Sequence, residues 1–159
     1  MGASSNIAAS STSERELVIT RIFDAPRELV YKVWSDPEHM VKWLGPQGFS
    51  STIERYDPRP GGAYRFYMRD PQGGDHWQQG VYREVSPPER FVCTYVWADA
   101  AGNPTRPETL LTVTFEDLGG KTRLTLRQGL FESVSARDDH QGGWNSSFER
   151  LTQYLKAAA

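Results

Sequence analysis

Six consecutive segments between residues 50 and 129 alternate apolar with polar side chains and are separated by short connections. Alternation with a period of two indicates strands that turn one face toward a core. The connections are rich in Gly, Pro, Asn and Asp, which end strands and form turns. Parallel neighbours would need crossovers of about a dozen residues, so these connections predict consecutive antiparallel hairpins. The predicted strands span residues 50–56, 62–69, 75–86, 90–98, 109–117 and 121–129.

One strand and two short helices precede this meander. Residues 16–23 (ELVITRIF) are β-branched and apolar, which predicts a first strand. In Asp24-Ala25-Pro26, either of the first two residues can cap a helix, and the proline suits its first turn, where a missing N–H costs nothing. Ser35-Asp36-Pro37 repeats the signal and predicts a second helix over residues 37–43.

The last segment, residues 135–156, returns to a helical period. Trp144, Phe148, Leu151 and Leu155 recur at spacings of four, three and four and form one apolar stripe. The concave face of the predicted sheet is the only large partner for this stripe. We therefore predict an α+β fold in which a curved antiparallel sheet of six to seven strands wraps around a long C-terminal helix.

Two features mark the beginning of this helix. Ser135 with Asp138 three residues later resembles a capping box. Gly142 and Gly143 each cost a helix about 1 kcal/mol relative to alanine. The glycine pair indicates either that local room is needed, for a ligand, the sheet or a bend, or that the helix begins only at Trp144.

Length and composition limit the class of protein. The 159 residues suit one domain, predicted over residues 15–159 after a Ser- and Ala-rich, disordered tail at 1–14. A net charge of -2 without a Lys/Arg run argues against nucleic-acid binding. The single cysteine, Cys93, excludes an intrachain disulfide. No secretory signal or apolar run of membrane-spanning length is visible, so a cytoplasmic protein without membrane insertion is expected.

Aromatic residues make up 12% of the chain, and their alternation predicts a cavity lined by flat side chains. A sheet curved around one helix does not close tightly at both ends, and the space left is typically apolar with a few convergent polar groups. The alternative is that these side chains form only a packed core. The residues predicted to contact a ligand are Trp43, Tyr64, Phe66, Met68, Trp77, Gln79, Tyr95, Trp97, Trp144 and Phe148.

The facing of strand 75–86 stays ambiguous in this prediction. Val81 and Val85 form the more apolar phase, which carries Trp77 and Gln79 inward. The opposite phase holds His76, Gln78, Gly80 and Tyr82. A bulge near Gly80 could exchange the two phases midway.

No motif of a nucleophilic enzyme or a cofactor site is present in the sequence. His76 and His140 could meet at one end of the cavity, where Asp75, Asp138 or Asp139 could complete a general base or a metal site. Exposed polar residues at the ends of elements are the simpler explanation. Because no Asp, Glu or Lys is expected to face inward from the strands, binding is favoured over catalysis, with no catalytic residue, metal or cofactor.

Four segments in the right order resemble a known family. They are ELVITRIFDAPRELVYKVWSDPEHMVKWLGP, GGAYRF, GVYREVSPPERFV and GGWNSSFERLTQYL. Over about residues 16–156 the chain resembles the activator-of-Hsp90-ATPase-homologue-like (AHSA-type) family of the START/polyketide cyclase (SRPBCC) superfamily. The resemblance implies the helix-grip fold, in agreement with the predicted element order. In that fold Trp43 and the loop at 44–49 border the cavity mouth, where the loop could act as a hinge-like lid.

The resemblance also implies binding of a small hydrophobic molecule, lipid-like or aromatic, because superfamily members bind lipids, hormones or polyketides. Some members are enzymes, so a cyclase, aromatase or hydrolase on this scaffold is a second hypothesis. A stress-related Hsp90 co-chaperone-like protein acting through its surface is a third. The true Hsp90 activators carry a further N-terminal chaperone-binding domain where this chain has only its tail, so Hsp90 is a disfavoured partner that stays open. Edge strands leave a homodimer open as well.

Overall fold

The computed structural model describes residues 14–158, which contain seven strands and three helices. The predicted tail at 1–14 lies, apart from Glu14, outside the described residues. The helices are α1 (Arg27–Ser35), α2 (Pro37–Trp43) and α3 (Val134–Ala158). The strands are β1 (Leu17–Phe23), β2 (Ser50–Tyr56), β3 (Ala63–Arg69), β4 (Asp75–Ser86), β5 (Arg90–Ala98), β6 (Thr109–Asp117) and β7 (Thr122–Gly129).

The strands form one antiparallel sheet in the order β1-β7-β6-β5-β4-β3-β2. Strands β2 to β7 follow one another as the predicted meander. Strand β1 is an edge strand and pairs with β7, from Leu17 opposite Gln128 to Phe23 opposite Thr122. The sheet is curved, and with the long C-terminal helix it gives the predicted α+β architecture.

The two short helices differ in how they begin. Helix α1 starts directly after Pro26, and no side chain caps it. The predicted cap at Asp24 or Ala25 is therefore wrong, because the proline itself occupies the capping position in an extended conformation. Asp36 caps α2 as predicted, since its carboxylate accepts a hydrogen bond of 3.0 Å from the backbone N–H of Glu38.

Helix α3 is continuous from Val134 to Ala158 and passes through the glycine pair. A helix start at Trp144 is therefore wrong. The cap is Ser133 rather than Ser135, because the Ser133 hydroxyl accepts a hydrogen bond of 3.0 Å from the backbone N–H of Ala136. Among residues 14–158, no helix combines the length and apolarity that crossing a bilayer requires.

The apolar stripe of α3 is buried against the sheet as predicted. Phe148 and Leu151 expose no surface, and Trp144 and Leu155 are more than nine-tenths buried. Phe23 of β1 meets Phe148 edge-on, with ring centroids 5.9 Å apart. Full burial of each such side chain stabilises a fold by roughly 1.5–3 kcal/mol, so this stripe holds helix and sheet together.

Strand β4 turns its polar phase toward the core. Gln78 is 3% exposed, whereas Val81 is 42% exposed. Directly opposed residues of antiparallel strands share a face, and Gln78 lies opposite the inward-facing Phe66 of β3. A bulge after Tyr82 then returns Val85 to the core. Val81 and Val85 lie on opposite sides of this bulge and therefore do not share a face. Treating them as one face predicted the wrong inward side for the first part of β4.

Gly80 lets a side chain of β3 cross β4. Tyr64 lies opposite Gly80, and its hydroxyl donates a hydrogen bond of 2.6 Å to the backbone carbonyl of Thr94 on β5. A Cβ atom at Gly80 would overlap this carbonyl oxygen and come within 2.7 Å of the Tyr64 ring. Close approach of a neighbouring group is therefore the reason for glycine here.

Two glycine substitutions should change stability in opposite directions. Gly142→Ala should raise the free energy of unfolding by about 0.5–1 kcal/mol, because position 142 is inside a helix and an added Cβ meets nothing within 4 Å. Gly80→Ala should lower it by about 1–3 kcal/mol through steric overlap. Urea unfolding of both variants measures the changes. A destabilised Gly142→Ala protein would contradict a continuous α3.

Candidate ligand-binding cavity

The sheet, α3 and the loop at 44–49 surround a cavity of about 260 Å³ that is partly open to solvent. Aromatic rings form most of its wall, and they come from α1, α2, the loop at 44–49, three strands and α3. The rings belong to Trp34, Trp43, Phe49, Tyr64, Phe66, His76, Tyr82, Phe91, Tyr95, Trp97, His140 and Trp144. The other lining residues are Met40, Leu44, Gly45, Pro46, Met68, Gln78, Cys93, Leu111, Asp139, Gly143 and Ser147.

Seven of the ten residues predicted to contact a ligand line this cavity. Five of them stand on β3 and β5, where alternation is regular and the predicted inward faces are confirmed. Whether they bind a ligand stays a prediction. The seven are Trp43, Tyr64, Phe66, Met68, Tyr95, Trp97 and Trp144.

Trp77 and Gln79 lie on the outer face of the sheet. The prediction placed them inward, but β4 turns the alternate residues, including Gln78, toward the cavity. Trp77 stacks on Tyr67 with ring centroids 5.3 Å apart. Gln79 accepts a hydrogen bond from Arg65 and donates one of 3.0 Å to the carbonyl of Gly102. Both side chains therefore have partners remote from the cavity.

Phe148, the tenth predicted residue, belongs to the core beside the cavity. It has no exposed surface and does not line the cavity. Its ring lies 5.9 Å from that of Trp144 and 6.0 Å from that of Trp34. It thus supports two lining rings from behind.

The polar tips of three lining tryptophans are bonded to protein groups. Trp43 donates to the carbonyl of Val33 at 2.9 Å, and Trp97 donates to His140 Nε2 at 2.7 Å. Trp144 donates to Gln128 Oε1 at 2.8 Å. Gln128 is a buried residue of β7 with no exposed surface. Because contacts within the protein use these three N–H groups, these indoles offer only ring faces to the cavity.

Gln78 is one of the polar lining residues that were not among the ten predicted contact residues, together with His76, Asp139, His140 and Ser147. Its Nε2 donates hydrogen bonds of 2.7 Å to the Tyr64 hydroxyl and 3.2 Å to the carbonyl of Gln79. The sequence indicated Gln78 only through the alternative facing of β4, in which His76, Gln78, Gly80 and Tyr82 point inward. Pairing with β3 selects that facing. The register between two strands is not readable from either strand alone.

The loop at 44–49 covers one side of the cavity and is tied to α3. Arg150 donates through Nη1 to three consecutive carbonyls of residues 44–46, at 2.9–3.1 Å. The Ser146 hydroxyl accepts a hydrogen bond of 2.8 Å from the backbone N–H of Gln47. Opening of this loop as a hinge-like lid stays a prediction, and it would have to break these bonds.

Two histidines stand at the edge of the cavity, as the sequence suggested. His76 contacts Asp70, with Nε2 2.8 Å from Oδ2. His140 Nδ1 donates to the carbonyl of Ala136 at 2.7 Å, while its Nε2 accepts from Trp97. These two bonds define a neutral His140 with its proton on Nδ1. Within residues 14–158, no group of three metal-ligating side chains is gathered.

Burial controls the ionisation of the groups that face the cavity. It raises the pKa of the Cys93 thiol to about 12 and raises the pKa of the Tyr95 hydroxyl above its ordinary value. Burial also lowers the pKa of His140, against the smaller opposing effect of its bond to Ala136. The thiol, the phenol and the imidazole are therefore all neutral at pH 7.

Fold and cavity together define a class: helix-grip proteins with an apolar chamber between a curved sheet and a C-terminal helix. A family model described as "Activator of Hsp90 ATPase homolog 1-like protein" matches residues 24–156. The chain belongs to this family, as the resemblance indicated. A search of curated proteins finds no match to this chain.

Solved structures of bacterial proteins have the same fold. A protein from Chromobacterium violaceum is 29% identical, with a TM-score of 0.79 over 87% of this chain and 95% of that one. A protein from Arthrobacter aurescens is 25% identical, with a TM-score of 0.83 over 92% and 88%. The AHSA1 protein from Silicibacter pomeroyi, at 23% identity, has a TM-score of 0.82 over 91% and 99%.

Stability should depend on pH through His140. Its pKa is lowered from 6.5 in the folded protein, so the unfolded chain binds a proton at a pH where the folded one does not. Stability should therefore be retained above pH 6.5 and fall as the pH drops through the lowered folded value. Protonation would also place an N–H opposite the indole N–H of Trp97.

Urea unfolding between pH 8 and pH 5 measures this effect, with His140→Gln as the comparison. Glutamine can still accept the bond from Trp97 but does not titrate. Wild type should lose more stability than the variant over this range. Equal losses would contradict a neutral, buried His140.

Proposed function

We propose that this protein binds a small apolar molecule in the cavity between the sheet and α3. The observation that carries the proposal is a largely apolar cavity of about 260 Å³ that reaches from the surface into a core whose other large side chains are buried. An apolar cavity of roughly 150 Å³ is already large enough to bind benzene.

Size and surface limit what would enter. Ligand pockets commonly span about 300–1,000 Å³, so a chamber of about 260 Å³ suits a molecule at the small end of that range. One or two fused rings or a short branched chain would fit. Because the indole tips of Trp43, Trp97 and Trp144 are bonded internally, affinity would come mainly from ring faces and apolar burial.

Binding is supported over catalysis or surface action by what faces the chamber. The single thiol, Cys93, is held protonated by burial and is not an activated nucleophile. Asp139 is the one carboxylate among the lining residues, and it stands at the edge shared with a second, more polar cleft. A protein acting through its surface alone would be expected to have a filled interior.

The first test is native mass spectrometry of protein purified from its own host, followed by extraction and identification of any bound compound. The proposal expects a stoichiometric apolar molecule, or, for an empty protein, a rise in melting temperature with members of a lipid-like and aromatic library. An empty protein that responds to nothing in such a library would contradict it.

Two tryptophans on neighbouring strands provide a matched comparison. Trp97→Ala removes a ring from the cavity wall and should weaken binding of a small aromatic probe by about tenfold or more, because an aromatic side chain contributes a large apolar contact area. Trp77→Ala removes a ring of the same size from the outer face and should leave affinity unchanged. Isothermal titration measures both. Equal losses of affinity, or a loss of stability alone in Trp97→Ala, would contradict the assignment.

Filling the chamber should abolish binding without unfolding the protein. Ser147 lines the cavity from α3, and leucine is a better helix former than serine. Ser147→Leu should therefore reduce affinity by at least about tenfold while stability stays equal or rises. Gln153→Leu on the exposed side of α3 is the control and should leave affinity unchanged. Unchanged affinity in Ser147→Leu would place the ligand elsewhere.

A further inference from the structure

The orientation of the Gln78 side-chain amide is set by its neighbours. A backbone carbonyl can only accept a hydrogen bond, so the bond to the Gln79 carbonyl identifies that amide atom as the nitrogen. Tyr64 donates its single hydroxyl proton to the carbonyl of Thr94 at 2.6 Å. The Tyr64 oxygen must therefore accept from Gln78, and both N–H groups of the amide are bonded within the protein.

The amide oxygen of Gln78 is left as an acceptor without a donor. Among the described residues no hydrogen bond to Gln78 Oε1 is formed, although the residue is 3% exposed and lines the cavity. The oxygen is not one of the side-chain atoms sealed in the core of residues 14–158 without a partner, so it is reachable from the cavity, where a ligand can donate to it. Since both amide N–H groups already donate within the protein, Gln78 Oε1 favours a ligand group that donates a hydrogen bond and disfavours one that can only accept.

Charge around the cavity disfavours an anionic ligand. No Lys or Arg lines it, and Asp139 adds a negative charge near its edge. His140 is neutral for the reasons given above, and His76 is already bonded to Asp70. A carboxylate would thus lose its hydration without gaining a cationic partner, which is costly in an apolar site.

We infer that the ligand is a neutral, flat molecule of one or two rings with a hydroxyl or N–H group that donates a hydrogen bond to Gln78 Oε1. The inference rests on the proposed function, because it concerns the same cavity. Ring faces supply apolar contact, and the amide oxygen selects the end of the ligand that carries the donor. Carboxylic acids of the same shape are poor ligands.

The test compares 2-naphthol with 2-methylnaphthalene, which have nearly the same shape but differ in the donor. Affinities of both are measured by titration for wild type, Gln78→Met and Gln79→Met. Gln78→Met should reduce the naphthol-to-methylnaphthalene affinity ratio about two- to tenfold, the effect of one neutral hydrogen bond. Gln79→Met changes the same residue type on the outer face and should leave the ratio unchanged. 2-Naphthoate should bind wild type at least about tenfold more weakly than 2-naphthol.

The outcomes separate this inference from the proposed function. If neither neutral probe binds wild type, the inference of a flat one- or two-ring ligand is overturned, and the library screen decides whether cavity binding itself stands. If both bind and the ratio is the same in wild type and Gln78→Met, or if 2-naphthoate binds as well as 2-naphthol, the inference is overturned while cavity binding stands.

A measurement on wild type alone decides the case if Gln78→Met does not fold. The ¹³C chemical shift of the Gln78 side-chain carbonyl should move on addition of 2-naphthol and much less with 2-methylnaphthalene. Equal shifts with both probes would overturn the inference.

Discussion

The fold depends on a hydrogen-bonded line that ties α3 to three strands of the sheet. The indole of Trp144 donates to Gln128 on β7, Gln128 donates to the Thr109 hydroxyl on β6 at 3.0 Å, and that hydroxyl donates to the Tyr95 carbonyl on β5 at 3.2 Å. All four residues are at least nine-tenths buried. Breaking one bond would leave a buried group unpaired at a cost of about 1–3 kcal/mol. The line therefore fixes the rotation of α3 and directs its stripe onto the sheet.

The cavity follows from what this arrangement leaves between large rigid rings. Trp34 lies within 6.0 Å, centroid to centroid, of the rings of Trp43, Phe91, Phe115, Trp144 and Phe148. Flat rings packed at these angles support one another but do not collapse into the remaining space. The protein uses the indole N–H groups of Trp43, Trp97 and Trp144 for its own bonds, whereas Trp34 Nε1 is buried without a partner among the described residues. The chamber therefore offers mainly ring faces and, at Gln78, a directed acceptor.

Much of the fold could be predicted because its signals are local. The strands from 50 to 129 and helix α2 lie within one residue of their predicted bounds, since alternation, turn residues and the Asp36 cap all act over a few residues. The first cap at Asp24 or Ala25 and the alternative helix start at Trp144 were wrong. In each case a neighbouring feature, the extended Pro26 or the packing of α3 as a whole, outweighed the local preference.

The cavity residues show the same division between local signals and contacts that depend on neighbouring elements. Alternation alone placed Tyr64, Phe66 and Met68 correctly, because β3 is regular and one of its phases is plainly apolar. On β4 the bulge after Tyr82 made the two valines a misleading guide, and only pairing with β3 brings Gln78 inward. Trp77 and Gln79 went to the outer face for the same reason.

The sequence by itself determined the order of elements, the antiparallel meander, the amphipathic C-terminal helix and the family, because each depends on spacing within short segments. Only the tertiary structure decided the phase of β4, the partners of the indole tips and the orientation of the Gln78 amide. Each of these depends on which groups meet across strands and between sheet and helix. Such contacts join residues far apart in the chain, such as Trp97 with His140, and no local pattern encodes them.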